Sequence, residues 1–93
     1  MELSYDPKKN QRNITERGLS FETARDFDFT GALVAEDTRR DYPERRFVAL
    51  GYVGRRLHVL CFTPTAVGIR VISFRKANSR EVKHYEQHTR PTD

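Results

Sequence analysis

The chain reads as an α+β domain: an antiparallel meander of three or four strands, with two short helices before it and one after. Three observations predict this. Helix-opening signals cluster ahead of Thr30, three strand-like runs follow with turns too short for a crossover, and a capping pattern restarts a helix after the last run. Leu3 and Tyr5 flank Ser4 in a brief strand-like alternation that leads into Asp6-Pro7, an N-cap followed by proline at the first helical position. The helix from Pro7 to Arg17 is polar almost all round, with Ile14 its one clearly apolar residue, so hydrophobic area cannot hold it to a core. Gly18 suits the C′ position, and Ser20 caps a second helix from Phe21 to about Asp28, whose Phe21, Ala24 and Phe27 form a narrow apolar stripe.

Ala32 to Ala35 is a short apolar run, and Glu36 to Pro43 is a charged loop expected to be the most mobile segment. The three strand-like runs are Arg46 to Val53, Leu57 to Thr63 and Ile69 to Phe74. Gly54-Arg55 and Pro64 to Gly68 separate them, and connections this short join antiparallel neighbours. In the last run Ile69 and Val71 alternate with Ile72 and Phe74, as in a strand covered on both faces. Asn78 and Glu81 then form a capping-box-like start to a helix over Ser79 to about Gln87. Residues 1–88 therefore form a single domain, and residues 89–93 a flexible tail in which Pro91 discourages helix.

Composition narrows the function. At 93 residues, 37% hydrophobic and 32% charged, the chain is globular but too small for two substrate domains, so any reaction uses a surface cleft. A net charge of +4 favours polyanionic partners. No stretch approaches the ~20 apolar residues that cross a bilayer and the N-terminus has no apolar signal core, so no membrane role and a cytoplasmic location are expected. The single cysteine, Cys61, excludes an internal disulfide and lies in an apolar strand pattern, as a packed thiol does. His84 and His88 share a helix face at i, i+4 but have no third ligand nearby in sequence, and His58 reads as a sheet-face residue, so neither a metal nor another cofactor is expected. Tyr85 reads as packing beside Val82.

Arg75 and Lys76 stand where the last strand gives way to a helix N-terminus, a place where cations and free backbone N–H groups converge on an anion. The same residues belong to a set of blocks with a family resemblance. Tyr5-Asp6-Pro7, Lys8, Asn13, Gly18 and Ser20-Phe21 form the first block. Glu44, Arg46, Phe47 and Gly51 form the second, and Arg70, Ile72, Ser73, Arg75, Lys76, Ala77, Glu81 and Tyr85 the third. Together they resemble the BrnT-type ribonuclease toxins of type II toxin–antitoxin systems, over roughly residues 1 to 86. Two positions depart from the family pattern. Arg17 replaces a usual His, removing a ring acid or base, and Phe74 replaces a usual Ala, adding bulk beside the expected phosphate cleft.

The resemblance implies a RelE-like small-toxin architecture and a metal-independent endoribonuclease that stops translation. It also implies a ribbon-helix-helix antitoxin partner, a heterotetramer with that antitoxin, and contact with operator DNA only through it. Such cleavage needs a base for the 2′-OH and cations for the pentacoordinate phosphorane. Glu44 is the candidate base, and Arg46, Arg75 and Lys76 the cations expected to grip the scissile phosphate. Arg80, Lys8, Lys9, Arg12 and Arg17 extend the RNA track. A non-catalytic basic module that acts within an antitoxin complex is the alternative reading, in which Glu44 and Arg46 merely pair at a strand end.

Overall fold

A computed structural model describes residues 1–89 of the chain. The elements in order are β1 (Glu2–Ser4), α1 (Pro7–Arg17), a 3₁₀ helix (Phe21–Asp26), β2 (Leu33–Glu36), β3 (Phe47–Val53), β4 (Arg56–Pro64), β5 (Gly68–Lys76) and α2 (Ser79–Thr89). The strands form one sheet in the order β1-β5-β4-β3-β2. β2 to β5 are a four-stranded antiparallel meander, but β1 joins the outer edge of β5 in parallel, pairing Glu2 with Gly68 and Ser4 with Arg70. The all-antiparallel expectation is corrected here to a mixed sheet of five strands. The approach is so close that a Cβ on Gly68 would overlap the backbone of Glu2, so only glycine admits the added strand.

The helix signals behave as their chemistry dictates. The Asp6 carboxylate accepts from the Lys8 N–H at 2.9 Å, and Gly18 closes α1 in the left-handed conformation at φ 65°. Asn78 and Glu81 exchange both capping-box bonds, at 2.9 and 2.8 Å. The second helix is corrected to a single stretch of 3₁₀ helix that stops at Asp26, because the chain turns extended at Phe27 to bury that ring. α2 extends through Thr89, whose hydroxyl donates to the Tyr85 carbonyl at 2.7 Å, and the rest of the expected tail lies outside the described residues.

Each sheet face has its own core. Phe21 and Ala24 of the 3₁₀ helix, with Phe27 just after it, cover Ala49, Leu60, Phe62, Val71 and Phe74 on one face. On the other, Tyr85 and Val82 of α2 pack over Leu57, Val59, Leu50 and Tyr52. Tyr85 is anchored by a 2.6 Å bond from its hydroxyl to the Gly31 carbonyl and meets Tyr52 edge-on, so packing accounts for it.

One irregularity sets where β5 aims its side chains. Phe62 pairs with Val71 and Cys61 with Ser73, leaving Ile72 as an extra, bulged residue. The strict alternation expected for this strand is therefore corrected. The bulge shifts the phase by one residue, so Phe74 turns into the first core, fully buried, and Arg75 turns to the face of Val59 and α2. Phe74 consequently adds no bulk to a phosphate cleft. Its ring stacks on buried His58 at 5.1 Å instead.

Candidate nucleic-acid interface

β1 covers β5 only as far as Arg70, so the stretch from Ile72 to Lys76 has no strand partner on its outer side. α1 lies there, held by amides rather than by apolar area. The buried Asn13 side chain donates at 2.9 Å to the carbonyls of both Phe74 and Leu19. Asn10 accepts from the Phe21 N–H at 2.8 Å, so two asparagines tie the polar helix to strand and loop.

That attachment fixes Arg17, whose guanidinium donates to the remaining Asn13 oxygen at 2.6 Å. With Leu19, Arg75 and Lys76 it lines a cleft of about 300 Å³ at the open edge of β5, and no carboxylate among the described residues is in the lining. Lys9 and Arg12 line the adjoining hollow along α1, with Glu16 the one acid there. Four of the expected cations thus gather with Arg75 along one side of the molecule. Lys8 and Arg80 are exposed in the first turns of α1 and α2 and line neither hollow.

Arg75 does not stand free. Its guanidinium forms a two-pronged bond to Glu81, 2.8 Å on each side, which holds the Glu81 carboxyl below its usual range and raises the affinity of Arg75 for its proton. The capping-box glutamate is therefore also the clamp between β5 and α2, and it neutralises the nearest cation.

Glu44 and Arg46 lie in a different hollow, of about 300 Å³, formed by the β2–β3 connection and lined by Asp37, Arg40, Asp41 and Tyr42 among others. The connection, expected to be mobile, is folded on the Asp37 side chain, which is 2% exposed. Asp37 accepts from the Arg39 N–H and from its guanidinium, at 3.2, 2.9 and 2.8 Å, and from the Tyr42 hydroxyl at 3.2 Å. These bonds, that from Arg39 foremost, hold the carboxyl far below the usual carboxylate range. Arg45 pairs with Glu36, whereas the Arg46 guanidinium stacks over the Tyr42 ring at 4.0 Å and has no carboxylate partner among the described residues. Its Nε is closed to solvent and, among the described residues, is the one buried side-chain N or O atom with no hydrogen-bond partner.

Arg46 and Arg75 share a sheet face, since Val48 and Val59 beside them belong to the same core. They do not meet at a point. Arg46 precedes the Phe47–Phe62 pair while Arg75 pairs with Val59, an offset of roughly 13 Å along β4 and roughly 10 Å across two strand spacings. Between them run Val48, Cys61 and Ser73 in one row, with Ser73 exposed. Burial raises the pKa of the Cys61 thiol, as fits a packed residue. No group of three or more His, Cys, Asp or Glu side chains suited to a metal occurs among the described residues. Burial beside Arg56 and Lys76 holds His58 below its usual pKa. The His84 and His88 rings stand 4.1 Å apart on the exposed face of α2.

Sequence reasoning missed Asp37 and Tyr42 and gave Asn13 no role. The first had a signal: Asp two residues ahead of Arg is an Asx-turn pattern, in which one carboxylate takes the backbone and side chain of the same residue. A search of curated proteins finds no match to the sequence. A family model described as the ribonuclease toxin BrnT of type II toxin–antitoxin systems matches residues 5–81, which include α1, the whole meander, both arginine-bearing hollows and the capping box. The chain therefore belongs to the BrnT family of ribonuclease toxins.

Proposed function

We propose that the protein cleaves single-stranded RNA without a metal ion, binding it along the basic edge of β5 and across the open strip of sheet toward Arg46. The observation that carries this reading is the β5-edge cleft, in which Arg17, Arg75 and Lys76 converge with no carboxylate from the described residues in its lining. Bound phosphates replace counterions there, with Lys9 and Arg12 continuing the track along α1 and Lys8 and Arg80 at its margins. Because Arg75 and Arg46 stand apart, they serve different phosphates of the strand. Arg75 shares its guanidinium between Glu81 and the backbone held by Lys76 and Arg17. Arg46, which has no counter-ion among the described residues, stabilises the negative charge that develops on the phosphorane. Glu44, exposed in the same hollow, takes the proton of the 2′-OH as that oxygen bonds to phosphorus, and the P–O5′ bond breaks with solvent protonating the departing 5′-oxygen. Fixed guanidinium groups supply the charge neutralisation for which other nucleases use a cation.

In the cell the substrate is messenger RNA in the cytoplasm, and its cleavage stops translation. The antitoxin is a ribbon-helix-helix protein that covers the basic clefts in a heterotetramer and alone contacts operator DNA.

The test is single-turnover cleavage of an end-labelled single-stranded RNA in excess EDTA. Wild type cleaves, and Glu44→Ala and Arg46→Ala do not. Lys76→Ala and Arg17→Ala weaken binding, and each makes the slope of log affinity against log salt shallower by about 0.7, the value for one phosphate of a single strand. Cleavage that EDTA abolishes and magnesium restores overturns the metal-free mechanism. Wild-type cutting by Glu44→Ala removes that residue as base, and binding without cleavage by wild type favours a non-catalytic module.

A further inference from the structure

Asp37 and Tyr42 have no place in the reaction as described, yet both converge on Arg46. The Asp37 backbone N–H donates to the Arg46 carbonyl at 2.7 Å, continuing the β2–β3 ladder one step past Glu36 and Phe47. Its carboxylate, 2% exposed, receives the Tyr42 hydroxyl at 3.2 Å. The ring so fixed lies against the guanidinium of Arg46 at 4.0 Å. One buried residue therefore holds the main chain of Arg46 directly and its side chain through an aromatic ring.

We propose that Asp37 and Tyr42 are positioning residues that keep Arg46 ordered while leaving its charge uncompensated. The proposal rests on the reading of Arg46 as the cation at the scissile phosphate. The design matters because a carboxylate that holds an arginine also cancels the charge that the arginine is meant to offer. In this chain Arg25, Arg39, Arg45 and Arg75 are all held in that way. An aromatic face orders a guanidinium without neutralising it, and leaves the terminal N–H groups, as distinct from the buried Nε–H, for another acceptor. The phosphoryl oxygens of the reacting nucleotide are such acceptors. Arg39, 80% exposed, takes the remaining bonding capacity of Asp37, so the carboxylate is kept from pairing with Arg46 itself.

The experiment compares Arg46→Ala, Tyr42→Leu, Tyr42→Phe and Tyr42→Trp in single-turnover RNA cleavage, with RNA binding and thermal melting measured on each. Tyr42→Leu lowers the cleavage rate about tenfold with little change in RNA affinity, whereas Tyr42→Phe and Tyr42→Trp, which keep an aromatic face but lose the bond to Asp37, each restore part of the rate and fall short of wild type. A second readout is free of activity: the Nε–H resonance of Arg46 is shifted upfield by the Tyr42 ring and exchanges slowly, and both properties disappear in Tyr42→Leu but are weakened without being lost in Tyr42→Phe, which keeps the ring and loses its bond to Asp37. If Arg46→Ala is inactive while Tyr42→Leu cleaves at the wild-type rate, the positioning role is overturned. Loss of rate that neither aromatic variant restores overturns it as well. If Arg46→Ala itself cleaves normally, it is the underlying reading of Arg46 that fails, whereas an unshifted Nε–H resonance in wild type refutes the stacked arrangement directly.

Discussion

Asn13→Ala tests what holds α1 in place. The wild-type side chain, 4% exposed, makes two donor bonds to main-chain carbonyls and accepts one from Arg17. Truncation leaves the carbonyls of Phe74 and Leu19 without those donors. An unsatisfied buried polar group costs about 1–3 kcal/mol, but water can reach the partly buried Leu19 end more easily than Phe74. A loss of about 3 kcal/mol follows, since no compensating apolar contact is available on a helix whose one buried residue is Asn13 itself. For a domain of this size that is a fall in Tm of roughly 12–24 °C. Urea unfolding followed by far-UV circular dichroism measures it, tryptophan being absent from the chain. An unchanged m-value with a lower midpoint supports the account, whereas a stability within about 0.5 kcal/mol of wild type refutes it and leaves α1 attached by its caps and by Asn10. Lys9→Ala, exposed on the same helix, is the control and leaves the midpoint unchanged.

Three further outcomes are expected. Gly51→Ala destabilises by about 1–3 kcal/mol in the same urea assay, because its Cβ would stand 2.5 Å from the Phe27 ring in a close-packed core. His58 is held below its ordinary pKa by burial, so the unfolded chain binds the extra proton first; its contribution to stability is complete above about pH 6.5 and is lost as pH falls through the folded pKa, a slope that His58→Gln removes from Tm measured against pH. Glu81 is depressed chiefly by its bond from Arg75, so that pair's contribution is present above the unfolded carboxylate value of about 4.3 and is lost as pH falls through the folded pKa; Glu81→Gln flattens this acid limb and also frees Arg75, raising affinity for RNA at neutral pH.

Local chemistry was readable in the residues and long-range pairing was not. Asp6-Pro7, Gly18, Ser20 and the Asn78–Glu81 box each announce a helix end, because a cap is decided within four residues. The hairpin connections at Gly54-Arg55 and after Pro64 likewise force antiparallel neighbours. Nothing local tells three residues at the N-terminus that they will pair with a strand more than sixty positions away. The bulge is an intermediate case. Apolar positions at Ile69 and Val71 followed by Phe74 change parity, and that change is itself the mark of an inserted residue. Reading the run as covered on both faces absorbed the irregularity instead of locating it.

The candidate site was less legible for a reason that lies in the charges themselves. A sequence shows how many cations there are but not which are already paired. Arg39, Arg45 and Arg75 resemble Arg46 in composition and neighbourhood, yet each is held by a carboxylate. Pairing removes equal charge of both signs, so the net +4 is carried by what remains. Much of it lies on α1, where Lys8, Lys9, Arg12 and Arg17 face one acid, Glu16, within the helix. A helix so charged repels itself and has little apolar area to offset that cost, which is why buried Asn13 and half-buried Asn10 must fasten it. The same repulsion makes the surface receptive to a polyanion, since each phosphate that docks relieves it. Ligand and fold are therefore coupled through α1: RNA or an acidic partner raises the stability of wild type, and in Asn13→Ala it recovers part of the lost midpoint, because only the folded chain presents Arg17 beside Arg75 and Lys76. A short oligonucleotide that binds but leaves the melting temperature of Asn13→Ala unmoved would show that the unfolded chain binds it equally well, and that these cations act as a diffuse charge with no geometry of their own.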